Sequence, residues 1–461
     1  MKKPNVLFFF TDDQRFDTIN ALGNKAVSTP NMDELVENGV SFTHAHIMGG
    51  TVGAVCMPSR AMINSGRSLF NLCESGTYIP ETDSLLGETL KNNGYQTIGI
   101  GKWHNGKRAY QRSFTNGGEI FFGGMNDHWN VPVFHFDPDA KYDHQMRETH
   151  NWSLERKVSF RHGDYVNSGV HSSEVFANEA IRQLENLEED KPFYMYLAFM
   201  APHDPRTMPD EFKKMYNPDD IELPPNYMTE HTFKFGVEKI RDEVLAAQPR
   251  VEHEVKEHIA EYYGMISHLD YQLGRVVQKL KDMGEYENTI IVFAGDNGIA
   301  VGQHGLFGKQ SCYEHSMRVP LIFSGAGMPK NKRTNSYALL LDIFPTLCDV
   351  LGIETPNNLD GESLKTAIEG DDKIRDNLYL TYGCLARAYK DDRFKLIEYR
   401  NETAKHTQLF DLENDPWEMN NLIDDKQYEE KANQLREKMI ENAKELNDTT
   451  NYIGKDFWDR F

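Results

Sequence analysis

The sequence predicts an α/β protein: a large, mostly parallel sheet flanked by helices on both faces, plus a smaller C-terminal α+β domain with an antiparallel sheet. First, short and wholly apolar runs such as Val6–Phe10 alternate with longer helical stretches, as buried parallel strands and their covering helices do. Second, polar residues follow directly after four of these runs, where ligands bind in sheets of this kind. Third, the pattern after Ile343–Leu351 changes to closely spaced short runs, which is typical of antiparallel strands.

The composition indicates a globular protein and argues against several classes of partner. With 461 residues, 39% of them hydrophobic, the chain has room for two or three structural units. A formal net charge of −21 argues against binding to nucleic acid or to an anionic membrane, since both need basic surfaces. Five scattered cysteines match neither a disulfide framework nor zinc-finger spacing. Because no signal peptide or membrane-spanning run is evident, we expect a cytoplasmic protein as written, or a periplasmic or secreted one if the N-terminus has been trimmed.

The first part of the predicted large domain contains two strands and three helices. The wholly apolar stretch Asn5–Phe10 predicts a buried strand, and Thr97–Gly101 predicts a second one. Helices are predicted over Met32–Glu37 and Leu85–Asn92, each closed by a glycine. Because proline fits the first turn of a helix, Pro58 predicts a further helix over residues 58–65.

The rest of this domain adds three strands and two helices. Phe193–Met200, Thr289–Ala294 and Pro320–Phe323 are short and apolar, as strands of a buried sheet are. Ser172–Glu188 and His253–Met283 carry the helical pattern. Strands that alternate with helices in this way indicate a largely parallel sheet.

The predicted domain boundary lies near residue 365, which gives a large domain over residues 1–365 and a small one over residues 366–461. We expect the small domain to pack tightly on the large one. Asp425–Leu446 predicts a highly charged amphipathic helix near its end. Four short runs separated by turn residues predict its strands: Leu378–Tyr382, Leu385–Tyr389, Phe394–Tyr399 and Gln408–Phe410.

Polar residues at four strand ends predict a single site, because the carboxyl ends of parallel strands meet at one edge of the sheet. The residues collected there are Asp12, Asp13, Lys102, His104, His203, Asp296 and Asn297. Their three carboxylates and one amide form an all-oxygen set that suits Ca²⁺, with Mg²⁺ as the alternative, and is poor for zinc. Taken singly, each acidic pair also fits a helix cap or a tight turn. Together and without a cation the carboxylates would repel one another, so we favour a metal site.

Cys56 lies just before the predicted helix start at Pro58. A helix N-terminus carries partial positive charge and free N–H groups, which together with Arg60 would lower the pKa of the thiol and favour an anion. The alternative is a buried structural cysteine beside a helix-starting proline, and the short pattern Cys-x-Pro taken alone favours that alternative.

Positive charge is predicted around the same point. The glycine-rich segment Gly302–Lys309 lets the backbone approach a ligand closely, although a surface turn with a solvated lysine is an equal alternative. His203, between two prolines, would protonate a leaving oxygen, although a lone histidine is more often structural. Donors suited to a tetrahedral oxyanion ester come from Arg60, Lys102, His104 and Lys309.

Two long segments carry a family resemblance. Cys56–Gly66 reads C-M-P-S-R-A-M-I-N-S-G, and Gly94–His104 reads G-Y-Q-T-I-G-I-G-K-W-H. They resemble the two signatures of the formylglycine-dependent (type I) sulfatases of the alkaline-phosphatase-like superfamily, with Ser65 in place of the usual threonine of the first. Leu409–Leu422 is similar to the C-terminal segment of that family. The resemblance covers nearly the whole chain, least clearly residues 106–171 and 226–252.

The resemblance implies a sulfatase, a hydrolase of sulfuric esters, with its catalytic domain in residues 1–365. A maturing enzyme would oxidise Cys56 to Cα-formylglycine, whose hydrated aldehyde, held by the metal, attacks sulfur. Lys102 and Lys309 would neutralise the sulfate oxygens, while Arg60 would hold the hydrate. His203 would protonate the departing alcohol, and His104 would remove the proton that allows sulfate to leave. The implied metal set is Asp12, Asp13, Cys56, Asp296 and Asn297.

The polar loops at the strand ends suit a hydroxyl-rich sugar better than a flat aryl group, so we expect a sulfated saccharide as substrate. Arg206 and His304 are candidate sugar contacts, with solvated surface residues as the alternative. His128 is a candidate sulfate contact, as are Asn126 and Asp127. The rival functions are an arylsulfatase, a phosphate or phosphonate ester hydrolase of the same superfamily, and a non-catalytic oxyanion- or metal-binding protein with an unmodified Cys56.

Overall fold

The computed structural model of the protein describes residues 3–149, 154, 156–401 and 405–461. Over these ranges short apolar strands alternate with helices through most of the chain. The strands are β1 Asn5–Thr11, β2 Gly39–Phe42, β3 Ala45–His46, β4 Gly49–Gly50, β5 Gln96–Lys102, β6 Asn116–Phe121, β7 Pro132–Val133, β8 Gln145–Glu148, β9 Ser159–His162, β10 Tyr165–Val166, β11 Phe193–Ala198, β12 Thr289–Gly295, β13 Arg318–Val319, β14 Leu321–Gly325, β15 Lys332–Thr334, β16 Ala338–Leu339, β17 Leu378–Tyr382, β18 Ala386–Lys390, β19 Phe394–Arg400 and β20 Lys405–Asp411.

The α-helices are α1 Pro30–Glu37, α2 Cys56–Ser65, α3 Leu86–Asn92, α4 Lys107–Ser113, α5 Ser172–Glu185, α6 Asp210–Lys213, α7 Glu252–Asp282, α8 Glu314–Met317, α9 Ile343–Leu351, α10 Lys365–Glu369, α11 Glu429–Glu445 and α12 Tyr452–Trp458. The longest, α7, spans 31 residues. Within the described ranges, no helix has both the length and the hydropathy needed to cross a membrane.

The large sheet has eight strands in the order β15-β2-β14-β12-β1-β11-β5-β6. The strands from β12 to β6 are parallel to one another, whereas β14 runs antiparallel to both β12 and β2. A parallel sheet needs crossover connections, and the helices between its strands provide them. The predicted α/β fold with a large, mostly parallel sheet is therefore confirmed.

Strand β1 lies in the interior of the sheet, between β12 and β11, and all of its residues are buried. Phe8 and Phe10 pack into one core together with Ala61 of α2. Leu7 and Phe9 pack into the opposite core, which α1, α5 and α7 cover. Burying one such side chain contributes about 1.5–3 kcal/mol, so the continuous apolar run fixes this strand between two helical layers.

Several elements begin or end at residues other than the predicted ones. Helix α2 begins at Cys56, two residues before the predicted start at Pro58, so Cys56 lies in the first helical turn. Pro58 fits in this turn because the first N–H groups of a helix have no intrahelical partner. Helix α11 begins at Glu429 rather than at Asp425, since the Asp425 carboxylate caps a short 3₁₀ turn that precedes it.

The C-terminal strands form a second sheet in the order β20-β19-β18-β17-β4. Its last member, β4, comes from the N-terminal part of the chain and lies parallel to β17. A Cβ on Gly49 would lie 1.8 Å from the Thr381 carbonyl oxygen, so only glycine allows the two strands to approach. Leu380 and Ala388 of this sheet belong to the same core as Phe8 of β1. The two sheets thus share a core, and the division at residue 365 stays a prediction.

A buried ion pair fastens the end of the chain to this second sheet. The Arg387 guanidinium on β18 donates to both oxygens of Asp448, with Nε–Oδ2 2.6 Å and Nη2–Oδ1 3.0 Å. Tyr379 Oη and Trp458 Nε1 donate to the same carboxylate. Neither Arg387 nor Asp448 is exposed. Removing one charge would leave the other uncompensated in the interior.

We therefore predict that Asp448→Asn, which keeps the size of the side chain, lowers the free energy of unfolding by about 3 kcal/mol. Urea denaturation followed by far-UV circular dichroism measures this change. Asp459→Asn is the control, because Asp459 pairs with Lys455 on the protein surface. The control should leave the unfolding midpoint unchanged. An equal loss in both variants would contradict the role of the buried pair.

Candidate functional site

Two neighbouring strands bring the acidic residues together. β1 and β12 are paired in register up to Thr11 and Gly295, so the residues that follow each strand emerge side by side. Asp12 and Asp13 follow β1, and Asp296 follows β12 at Gly295. The backbone N–H of Asp13 donates to Asp296 Oδ1 at 3.0 Å. The common edge predicted from the sequence is present in the structure.

The next strands along the sheet add basic and imidazole groups. β5 ends at Lys102, whose Nζ donates to Asp12 Oδ2. The segment after β11 crosses behind Asp12, whose N–H donates to the Ala201 carbonyl at 3.1 Å. This segment places His203 Nε2 3.6 Å from Asp13 Oδ2. Four strand ends therefore contribute to one cluster.

The carboxylates of this cluster are balanced by basic side chains from three different elements. Asp12, Asp13 and Asp296 are at most 1% exposed, so their charges need partners inside the protein. A basic side chain contacts each of them: Lys102 contacts Asp12, Arg60 Nε lies 2.8 Å from Asp296 Oδ2, and Lys309 Nζ lies 2.6 Å from Asp13 Oδ1.

Three buried oxygens of the cluster have no hydrogen-bond partner among the described residues: Asp12 Oδ1, Asp13 Oδ2 and Asn297 Oδ1. Leaving such an atom unpaired costs about 1–3 kcal/mol. Possible ligand atoms also lie close together, within 4.8 Å of one another in each of two groups: Asp12, Asp13 and His203, and Asp12, Cys56 and Asp296. Oxygens of this kind fit a hard divalent cation such as Ca²⁺ or Mg²⁺.

The pKa values reflect the crowding of the carboxylates. Burial and the neighbouring Asp12 charge raise the pKa of Asp296 to about 7. Burial also acts on Asp12, but the charges of Lys102 and Arg60 outweigh it and hold the pKa of Asp12 well below its ordinary value. The pKa values of two carboxylates move apart in this way when the carboxylates share a site. A further positive charge would allow all the carboxylates to ionise.

Cys56 faces the cluster from the first turn of α2. Its Sγ lies 3.8 Å from His104 Nδ1 and 3.9 Å from Lys102 Nζ, and the residue is 3% exposed. Burial raises the pKa of the Cys56 thiol despite the positive charge of Lys102. Of the two interpretations of the short pattern, the surroundings of Cys56 therefore favour a buried cysteine over a thiol activated by the helix N-terminus, because the loss of hydration outweighs the nearby positive groups.

Arg60 makes a different set of contacts from the one expected. It is fully buried beneath Cys56, one turn further along α2. Besides Asp296, it donates to the backbone carbonyls of Lys102 (3.2 Å) and Phe199 (3.3 Å). Its guanidinium also stacks over the Phe10 ring at 4.7 Å. Arg60 thus links the ends of four strands and offsets the negative charge of the carboxylates.

His203 has one ring nitrogen fixed by the backbone. Its Nδ1 donates to the Asp204 carbonyl at 2.8 Å, which leaves Nε2 directed at the cluster. Burial lowers the pKa of His203 to about 4, although the Asp13 carboxylate opposes this shift. Burial also lowers the pKa of His104, with Lys102 acting in the same direction. Both imidazoles are neutral in the absence of a ligand and can accept a proton.

The three candidate substrate contacts have different surroundings. His128 is fully buried, with Nδ1 2.7 Å from Ser172 Oγ and Nε2 2.9 Å from the His203 carbonyl, so it supports His203 from behind. His304 stacks on the Tyr313 ring at 4.0 Å and bonds to Asn226, and it is 5% exposed. His128 is therefore packed into the interior, whereas His304 borders a cavity of about 660 Å³, so its role as a sugar contact stays a prediction.

Arg206 is the candidate that borders a cavity next to His203. The cavity has a volume of about 490 Å³, and its walls include Asp204, Asp127 and Arg241. Arg206 Nη1 lies 3.0 Å from His258 Nδ1, whereas its Nε and Nη2 are buried without a partner in the described structure.

Sequence patterns gave no indication of two groups of residues that shape the site. Tyr262 Oη on α7 donates to the Asp13 carbonyl at 2.6 Å and accepts the Arg15 N–H at 3.0 Å. These bonds stabilise the turn in which Asp13 has a φ of 61°, an uncommon value for a residue other than glycine. Glu243 and Arg250 contact the backbone of the loop that carries Lys309. Both lie in residues 226–252, where the family resemblance is least clear.

Comparison with known proteins gives a consistent result. A family model described as Sulfatase matches residues 4–353, and one described as N-sulphoglucosamine sulphohydrolase, C-terminal, matches residues 302–445. An arylsulfatase of Clostridium perfringens is 29% identical, over 95% of this chain and 94% of its own length. An N-acetylglucosamine-6-O-sulfatase of Bacteroides thetaiotaomicron is 24% identical, over 97% of this chain and 87% of its own length.

Solved structures have the same fold. A protein in complex with its substrate D-glucosamine-2-N,6-O-disulfate superimposes with a TM-score of 0.77 at 22% identity, over 98% of this chain and 99% of that one. A phosphonate monoester hydrolase of Agrobacterium radiobacter gives a TM-score of 0.75 at 22% identity, over 96% of both chains. The large sheet and the C-terminal sheet both lie within these superpositions.

Three buried histidines stack behind the segment that carries His203. The rings of His128 and His171 are 4.9 Å apart and nearly parallel, and His268 of α7 meets His171 at 4.7 Å. Burial, with the neighbouring His128 acting in the same direction, lowers the pKa of His268 to about 3. The unfolded chain therefore binds protons below about pH 6.5 that the folded protein does not bind, and stability falls as the pH falls.

The free energy of unfolding falls when the pH is lowered from 7 to 5. We predict that this decrease is about 2 kcal/mol smaller in His268→Gln than in the unaltered protein. Urea denaturation at each pH gives the two differences. His253→Gln is the control, because His253 is an exposed histidine on the same helix. Between pH 7 and pH 5 the control should lose as much stability as the unaltered protein. If His253→Gln reduced that loss as much as His268→Gln does, the effect of burying His268 would be contradicted.

Proposed function

Because this chain belongs to the sulfatase family, we propose that it removes sulfate from a sulfated carbohydrate and that Cys56, oxidised to Cα-formylglycine, provides the nucleophile. One observation carries the proposal: Cys56 Sγ lies within 4.8 Å of carboxylate oxygens of Asp12 and Asp296, beside three buried oxygens that have no hydrogen-bond partner in the part of the chain that the structure describes. An ordinary buried cysteine has no need of such surroundings. The raised pKa of the thiol also favours a converted residue over a thiolate nucleophile.

The residues that would hold a divalent cation are Asp12, Asp13, Asp296 and Asn297, with the Cys56 position completing the set. Their oxygens favour Ca²⁺, with Mg²⁺ as the alternative. When bound, the cation supplies positive charge for the sulfate oxygens, and the formylglycine supplies a hydrated aldehyde.

Lys102 and Lys309 are the groups that would bind the sulfate oxygens. Each now donates to a carboxylate, Asp12 or Asp13, that a cation would also bind. With the charge of these carboxylates offset in that way, the two ammonium groups would be available to an oxyanion. Arg60, which is fixed by backbone carbonyls as well as by Asp296, keeps the carboxylates in place.

The two histidines would move the protons. His203 Nε2, on the open side of the ring, would first take up a proton when the negative charge of the sulfate ester enters the site. It would then donate that proton to the sugar oxygen as the bond between that oxygen and sulfur breaks. His104 Nδ1, which faces Cys56, would accept a proton from the hydroxyl group at that position as sulfate leaves and the aldehyde is restored. Each transfer contributes about 10²–10⁴-fold to the rate in enzymes of known mechanism.

A carbohydrate substrate is supported by the walls of the cavity beside His203 and by similar proteins. Asn126, Asp127 and Arg241 offer polar groups where the leaving alcohol would lie, and Arg206 stands behind them. The relative from Bacteroides thetaiotaomicron is an N-acetylglucosamine-6-O-sulfatase, and the superimposed structure holds a sulfated glucosamine. The burial of Cys56 supports a maturation enzyme that acts on it before the chain folds.

The first experiment tests the nucleophile and the substrate. After coexpression with a formylglycine-generating enzyme, we expect mass spectrometry of the Cys56 peptide to show loss of sulfur and gain of oxygen. Cys56→Ala should lower kcat/KM on a sulfated glucosamine at least about 10³-fold. Cys73→Ala is the control, because Cys73 is a partly exposed free cysteine. Full activity with an intact thiol would overturn the mechanism, and faster turnover of aryl sulfates or phosphonate esters would overturn the substrate class.

The second experiment tests the cation. Ca²⁺ at a hundred times its Kd should stabilise the folded protein by about 2.7 kcal/mol, and EDTA should remove that gain. We expect Asp13→Asn to abolish the rise in Tm with Ca²⁺, because Asp13 has one of the unpaired oxygens. Asp270→Asn is the control, since Asp270 is a buried carboxylate that caps α1 instead. A rise of equal size in both variants would contradict the proposed site.

A further inference from the structure

The loop that carries Lys309 has little structure of its own. Residues 302–309 contain neither helix nor strand, and the loop is closed by the bonds Gly302 N–Leu306 O and Ala300 N–Gly308 O, both 2.9 Å. Lys309 nevertheless reaches a defined point, since its Nζ lies 2.6 Å from Asp13 Oδ1. A long flexible side chain needs a fixed backbone to do this.

Glu243 supplies that fixed point from outside the sheet. It lies in a short 3₁₀ turn, Asp242–Leu245, and is 3% exposed. Its carboxylate accepts the N–H of Phe307 with both oxygens, at 3.0 and 3.1 Å, and the N–H of Gly308 at 2.9 Å. A Cβ on Gly308 would lie 2.2 Å from Gln310 Oε1 and 3.1 Å from Glu243 Oε1, so glycine lets both side chains come close to the loop. The two residues before Lys309 are thus held by one side chain.

Arg250 holds Glu243 and the loop together. Its Nη2 pairs with the Glu243 carboxylate, and its Nε donates to the Gly305 carbonyl at 2.9 Å. Its guanidinium lies over the Phe307 ring at 5.0 Å. Both members of the pair are buried at 3% exposure, where an ion pair gains little net stability over apolar residues. Apolar residues, however, have no acceptors for the backbone N–H groups.

Lys309 itself is held from the other side. Its own N–H donates to Gln310 Oε1 at 2.9 Å, and Gln310 Nε2 donates to Asp242 Oδ2 at 2.7 Å. The short turn that contains Asp242 and Glu243 therefore contacts the backbone before Lys309 directly and the backbone of Lys309 through the Gln310 side chain.

We propose that Glu243, held by Arg250, is a positioning residue for Lys309: it fixes residues 307 and 308 so that the ammonium group reaches Asp13 and the sulfate site. The part that concerns sulfate rests on the proposed function. The part that concerns the placement of Lys309 rests on the contacts alone. The alternative is that the pair stabilises the fold without any particular effect on Lys309.

Amine labelling separates these two roles without any need for activity. Lys309 is 3% exposed and Lys102 is fully buried in the same cluster, but Lys102 is on strand β5, away from the loop. We expect Glu243→Ala to raise the acetylation rate of Lys309 about tenfold relative to that of Lys102, measured by peptide mass spectrometry. Asp270→Ala is the matched control, because Asp270 is a buried carboxylate that also accepts backbone N–H groups.

The control should leave the Lys309 to Lys102 ratio unchanged. An unchanged ratio in Glu243→Ala, or an equal rise at both lysines, would overturn the proposal. Should Glu243→Ala fail to fold, Glu243→Gln retains one acceptor oxygen, and we expect a smaller rise in the same ratio. Hydrogen exchange of the unaltered protein adds a test without substitution: the Phe307 and Gly308 amides should be protected, and rapid exchange there would overturn the anchor.

Kinetics then test the link to catalysis. We expect Glu243→Ala to lower kcat/KM on a sulfated glucosamine by about 10–100-fold, but by less than about twofold when Lys309→Ala is already present. Additive losses would overturn the positioning role. If the matured, unaltered protein hydrolyses no sulfate ester, the proposed function fails, whereas the labelling ratio still decides whether Glu243 positions Lys309.

Discussion

Asp12, Asp13 and Asp296 are buried side by side, and their negative charges require positive groups and hydrogen-bond donors inside the protein. Most of the neighbouring structure supplies them. Each carboxylate lies at the end of a strand because β1 and β12 are in register, so the sheet itself brings the negative charges together. Partners from three further elements then offset them: helix α2, strand β5 and the loop before Lys309. Even so, Asp12 Oδ1, Asp13 Oδ2 and the neighbouring Asn297 Oδ1 have no hydrogen-bond partner among the residues that the structure describes. A sheet edge of this kind is stable only with a cation or with compensating side chains; this protein supplies the side chains and has oxygens of the type that a cation binds.

The three basic partners are not equivalent. Arg60 has a rigid planar group that donates to a carboxylate and to two backbone carbonyls, so it remains a fixed internal counter-ion. Lys102 and Lys309 each make their close contact through a single flexible ammonium group, which can exchange one acceptor for another at little cost. This division of roles allows an oxyanion to enter without disturbing the scaffold.

The parts of the site that the sequence predicts are those encoded locally. A continuous apolar run such as β1 identifies a buried strand, and the polar residues directly after it must lie at the sheet edge, so Asp12 and Asp13 could be found from pattern alone. Glu243 and Tyr262 could not, because their contacts join segments far apart in the chain and leave no periodic pattern. The raised pKa of Cys56 results from its burial, which depends on the tertiary structure and cannot be read from a sequence motif.

The short strand β4 has a consequence for the order in which this protein is made. Gly49 and Gly50 pair with Thr381 and Tyr382, residues that leave the ribosome more than three hundred residues later. Until then Gly49 and Gly50, the residues of β4 that precede Cys56, have no strand to pair with. For the maturation of Cys56 proposed above, synthesis from the N-terminus would provide an interval before β4 pairs with β17 in which the region around Cys56 is incomplete.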